Sequence, residues 1–238
     1  MKAEEYNAKQ ISDGNLTQEH IVQMVQLWQK ENGLEEDGYC GPKTQQAFSV
    51  ETTETSDKST ALGILCLQVA AEEMEAGARE VGGNNQGEFV AKYKNRDPAA
   101  TDMGAWCAAF CSWVIEEACR RAGIDMPFRR SEGAKALWKN CGKAGSFVGI
   151  PSPGDLACWD RGDLLPSGNK SWAGHIGFVE SVKLDSSENL VEFTTIEGNV
   201  GGYNRTGGAP VRRFTHRMHL EKRMEGFSRM PETSIPVA

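Results

Sequence analysis

The chain has 238 residues, 39% of them hydrophobic, enough for one large packed domain or a medium domain with a small companion. A formal net charge of −7 supplies no basic face for a phosphate backbone, which excludes nucleic acid as the expected partner. No apolar run approaches the roughly 20 residues that cross a bilayer, so no membrane insertion is expected.

The first residues, MKAEEYNAKQISDG, are polar and acidic and lack the pattern of a Sec-type signal. The protein is therefore expected to be made in a cytoplasm and to stay there unless something else releases it. Its seven cysteines are odd in number and include no C-x-x-C pair. They read as reduced, mostly buried thiols, with no structural zinc site and no cofactor.

In chain order, Ile21, Met24, Val25 and Trp28 recur at helical spacing. Thr17 offers an N-cap, and Gly33 a left-handed stop. Asp37-Gly38 and Gly41-Pro42 then read as a tight double turn, after which Thr44 opens a short helix carrying Ala47 and Phe48. Trp28 and Phe48 are read as core. The segment VETTETSDKST, residues 50–60, is polar and aperiodic, and reads as a solvated linker. The expected division is a small all-α module over 1–50, a linker over 51–61, and a larger domain over 62–232.

Within that domain, residues 61–81 look helical and VGGNNQG breaks the helix. A short helix is expected over 87–93, and a longer one from Trp106 to Arg121, closed by Gly123. After residue 150 the period changes to that of strands: GDLACWD, GHIGFVESV, LVEFTTIEG, APVRRFTH and MEGFSRM. Helices followed by strands indicate an α+β domain with an antiparallel sheet.

The segment GAWCAAFCSW, residues 104–113, raises the chemical question. With Thr101 and Asp102 as candidate caps, Cys107 falls in the first helical turn. There, free N–H groups and the helix dipole favour a thiolate and face a developing oxyanion. Cys111 is one turn deeper and is expected in the core. A nucleophilic thiol needs a base. His175 opens an apolar strand after a glycine, whereas His216 and His219 lie in the charged segment RRFTHRMHLEKR and His20 in the small module. Glu197 and Asn199 are two apart, so both point to one side if the strand stays extended. Either can hold the imidazole in one tautomer. Each residue alone is more often structural; the set and its order carry the reading.

WCAAFCSWV, PGDLACW, GHIGFVES and TTIEGNVGG, in this order, resemble the CHAP amidase/peptidase group within the NlpC/P60-like, papain-related clan. The resemblance covers roughly residues 66–230. It implies a papain-like α+β fold, with helices packed on an antiparallel sheet. It also implies Cys107 as nucleophile, His175 as base, Glu197 as orienting acid and Asn199 as a polarising residue. Trp106, beside the nucleophile, is expected to contact substrate. VQLWQKENGLEEDGYCGPKTQQAF resembles a three-helix peptidoglycan-binding module, with any glycan contact placed near Asp37, Tyr39 and Thr44.

Together the resemblances imply a monomeric peptidoglycan hydrolase that cuts an amide in the wall peptide. A phage endolysin, held in the host cytoplasm and released to the periplasm and cell wall, fits this description. The alternatives are a secreted antibacterial effector of the same chemistry, a wall-binding protein with a dead site, and a metal enzyme using His216 and His219. The last ranks low, because no acidic ligand completes that pair in a recognised pattern.

Overall fold

A computed structural model describes residues 9–31, 35–39, 58–100, 103–163, 171–201 and 208–233. Gly33, Thr44, Phe48, most of the expected linker and the expected caps Thr101 and Asp102 lie outside these residues. The chain forms two compact units, Met1–Thr53 and Glu54–Ala238.

In the first unit, helix α1 spans Gln18–Glu31. Thr17 Oγ1 accepts from the His20 amide at 3.3 Å, and His20 Nδ1 accepts from the Thr17 amide at 3.2 Å. This reciprocal cap supplies partners for the free N–H groups of a helix start. Near the other end, buried Gln29 fastens the following turn. Its amide donates to Asp37 Oδ1 at 2.7 Å and to the Tyr39 carbonyl at 3.1 Å, and its oxygen accepts from the Gly38 amide at 2.8 Å. Ile21 and Met24, whose spacing announces the helix, are exposed. Periodicity marks the element, but a unit this small covers only part of an apolar stripe.

In the second unit, α2 spans Ala61–Glu75, and Thr60 caps it by accepting from the Gly63 amide at 3.0 Å. It ends six residues before the expected position 81. Gly77 takes φ 74°, while the amides of Gly77 and Ala78 reach back to Met74 and Glu73. That is a Schellman stop, and the apolar residues beyond it belong to other structure. Helix α3 spans Glu88–Lys94 and α4 spans Cys107–Ala122, the latter closed by Gly123 in the left-handed region. Phe110, Val114 and Ile115 of α4 are fully buried, each stabilising by about 1.5–3 kcal/mol. Helix α5, Ala134–Ala144, was not expected from the sequence. Leu137 and Cys141, four apart, bury on one side of it.

The strands are β1 Ser146–Val148, β2 Leu156–Asp160, β3 Gly174–Leu184, β4 Leu190–Glu197, β5 Arg212–Arg217 and β6 Met224–Arg229. They form one sheet in the order β1-β6-β2-β3-β4-β5, with every neighbouring pair antiparallel. The unit is α+β, with helices before strands. Leu156, Ile176, Phe178 and Ile196 join the helices in the main core, whereas Ala157, Trp159, Val179 and Phe193 form a second apolar cluster. Alternate residues of the same strands thus enter different clusters, so the central strands read as near-continuous apolar runs.

Candidate active site

Cys107 is the first residue of α4. Trp106 precedes it as N-cap, with φ −122° and ψ 7°, and makes no side-chain capping bond. The leading amides of the helix are therefore not occupied by a cap, and the Ala108 N–H acts on the Cys107 sulfur. Burial pushes the Cys107 thiol up most strongly. The neighbouring His175, the charge of Arg161 and the Ala108 amide together outweigh it, so the net shift is downward.

His175 is the second residue of β3 and pairs across the sheet with Trp159. Its Nε2 lies 2.6 Å from Glu197 Oε2. Its Nδ1 is buried with no completed hydrogen bond among the described residues, while Cys107 is the neighbour with the largest pull on the ring's proton. Burial alone would discharge the imidazole. Cys107 and Glu197 override this and raise its pKa to about 9. Each partner's shift is toward its charged form.

Glu197 ends β4 and is buried. Burial pushes its carboxyl up, but hydrogen bonds from His175, His216 and Thr195 hold it well below the usual carboxylate range. Gly177, two residues after His175, leaves the space Glu197 needs: a Cβ there would stand 2.5 Å from Glu197 Cγ. The second glycine of GHIGF therefore belongs to the site as clearance.

The structure brings Cys107, His175 and Glu197 together. Asn199 does not share a strand face with Glu197, because β4 ends at Glu197 and Asn199 takes φ 61°. The premise of an extended chain through Asn199 fails at that turn. Trp106 is corrected as well. It is fully buried, donates from Nε1 to Glu80 Oε1 at 3.0 Å and stacks on Tyr93, so its side chain is engaged in holding the helix start. Asp37 Oδ1 is committed to its own turn, accepting from Gln29 and the Tyr39 amide, while Tyr39 is 76% exposed. Cys111 is fully buried, and burial pushes its thiol far up, away from reactivity.

His216, which the sequence offers only as half of a possible metal pair in a charged segment, also enters the site. Strand alternation does not reveal it, since Phe214, of the same parity in β5, is exposed; His216 is placed by lying directly across from buried Phe193 of β4. It is buried, its Nε2 is 2.7 Å from Glu197 Oε1, and its Nδ1 is 2.9 Å from Glu221 Oε1. His219 is exposed in the short 3-10 turn Met218–Leu220, and among the described residues no group of three or more His, Cys, Asp or Glu side chains is placed to hold a metal ion. Trp159, Arg161, His175, Glu197, His216 and Glu221 help to line a cavity of about 410 Å³, room for a side chain or two of a substrate.

Searches of curated proteins and of solved structures return no match for the chain. The family model of the CHAP domain matches residues 99–199, the stretch that carries Cys107, His175 and Glu197.

Proposed function

We propose that this chain is a cysteine-dependent peptidoglycan hydrolase that cuts an amide bond in the peptide part of the bacterial wall. A matched CHAP domain supports peptidoglycan hydrolysis in general. The single observation that supports the chemistry is His175, held by Glu197 at 2.6 Å, acting on Cys107 at a helix start, with His175 and Glu197 also lining a cavity. The Cys107 thiolate attacks the amide carbonyl, and the first-turn amides of α4 face the oxyanion. His175, charged by its pairing with the thiolate, gives a proton to the leaving amine as the C–N bond breaks. Water, deprotonated by the now neutral His175, hydrolyses the thioester and frees Cys107. Glu197 keeps the imidazole oriented and its charged form stable throughout.

A wall-lysing role of the endolysin kind fits a hydrolase joined to a small N-terminal unit. The sequence of that unit resembles a peptidoglycan-binding module, in which Tyr39 is exposed. The deciding experiment is release of labelled fragments from purified peptidoglycan by the full chain and by Cys107→Ala and Cys111→Ala. Cys107→Ala is expected to release nothing while melting within a few degrees of the parent, and Cys111→Ala to retain activity. The reverse pattern removes Cys107 from the mechanism. Full binding to walls without release by the parent chain marks a dead site instead. Mass spectrometry of the released muropeptides names the bond.

A further inference from the structure

Glu197 serves two histidines at once. Oε2 meets His175 Nε2 at 2.6 Å, and Oε1 meets His216 Nε2 at 2.7 Å. On its other side His216 places Nδ1 2.9 Å from Glu221 Oε1, and Glu221 Oε2 accepts from Trp159 Nε1 at 2.7 Å. The Thr195 hydroxyl donates to Glu197 Oε1 and lies 3.0 Å from His216 Nε2. The ring of His216 is stacked on Phe193 at 4.8 Å and packed against Trp159 at 4.7 Å, so it cannot turn without opening the cluster.

An ionised carboxylate only accepts hydrogen bonds. Both nitrogens of His216 face carboxylate oxygens, so both must carry protons for the two bonds to stand. A neutral ring would set a lone pair against one of the two carboxylates. The other charged groups around the cavity, Asp160, Arg161 and Arg223, are not among the hydrogen-bond partners of the ring. The result is a line of alternating charge: Cys107 sulfur, His175, Glu197, His216, Glu221.

We propose that His216 is a positioning residue of the site, clamped as an imidazolium between Glu197 and Glu221, where it keeps Glu197 ionised and aimed at His175. This rests on the reading of His175 as the base. Burial alone would lower the His216 pKa; the two carboxylates overcome it and raise it, in agreement with the geometry. His216 and Glu221 both lie beyond the matched stretch 99–199.

The test has a spectroscopic and a kinetic arm, both on the full chain. In nitrogen-15 labelled protein at pH 7, both ring nitrogens of His216 are expected at imidazolium shifts, and Glu221→Gln lowers the titration midpoint by about one pH unit. A neutral His216 at pH 7 in the parent chain, or a midpoint indifferent to Glu221→Gln, overturns the proposal. In wall hydrolysis, His216→Gln is expected to lower kcat about tenfold with KM nearly constant. It also moves the acid limb of kcat up by about one pH unit, because Glu197 loses its cationic partner. A pH profile that overlays the parent's overturns it as well. Should His216→Gln not fold, Glu221→Gln carries both readouts with His216 in place. A parent chain that hydrolyses no wall sinks the hydrolase reading alone, and the spectra still decide the state of His216.

Discussion

At the scale of single residues, environment sets the cysteines apart. Burial pushes Cys119 up to about 11 and Cys141 and Cys158 up to about 12, and pushes Cys66 and Cys111 well above the ordinary thiol value. Cys107 alone among the cysteines of the described residues shifts downward. A brief exposure of the native chain to iodoacetamide at neutral pH is expected to label Cys107 at least about tenfold ahead of these others, read by peptide mapping. His175 gives a second prediction. Its pKa rises from an ordinary value near 6.5 to about 9 on folding, so the folded state binds the extra proton. The stability this contributes is full below about pH 6.5 and is lost as pH rises through about 9. For Glu197 the shift is downward, so its contribution is present above the usual carboxylate range and lost as pH falls beneath it. Melting temperature is therefore expected to decline on both flanks, the alkaline flank centred near the His175 value. His175→Gln should flatten that flank.

At the scale of elements, the strand ends position the chemistry and two contacts hold them. Gly177 on β3 gives clearance to Glu197 on β4. Gly177→Ala is expected to lower kcat more than stability, because the added Cβ meets the one side chain that orients His175. A loss of melting temperature that fully accounts for the lost activity would contradict this. Asp155, just before β2, accepts from the Ser152 amide at 2.8 Å and from Arg229 of β6 at 2.9 Å, and is buried. Removing one member of a buried pair leaves the other uncompensated, so Asp155→Ala is expected to cost about 3 kcal/mol in urea unfolding. Glu80 acts on the nucleophile's helix in a similar way. It accepts from Trp106 Nε1 and from the amides of Asn85 and Ala209, joining the start of α4 to two loops.

At the scale of the whole molecule, the compact units part between Thr53 and Glu54, and no helix among the described residues is long and apolar enough to cross a membrane. Residues 54–238 hold the cysteine, the two histidines and both carboxylates of the site. This segment alone is expected to fold and to hydrolyse soluble wall fragments, while losing affinity for intact walls in a pull-down. Equal affinity with and without residues 1–53 would leave the first unit without a binding role.

Much of this was legible in the chain because the signals are local. The periods of 3.6 and 2 marked α4 and the strands from β2 to β6, and Gly123 marked where α4 ends. The position of Cys107 in a first turn follows from those boundaries alone, as does the candidacy of His175 at the mouth of a strand. Local pattern failed where a glycine overrode an apolar run, at Gly77, and it did not announce α5, whose 11 residues bury few apolar side chains. It also failed for Asn199, since one residue with positive φ ends the alternation. Only the folded sheet decided that Glu197 lies between two histidines, that Trp106 is buried, and that His216 of a charged strand points inward. Those facts depend on which strands are neighbours and in what register. Register comes from packing between segments far apart in sequence, which no short stretch of the chain contains.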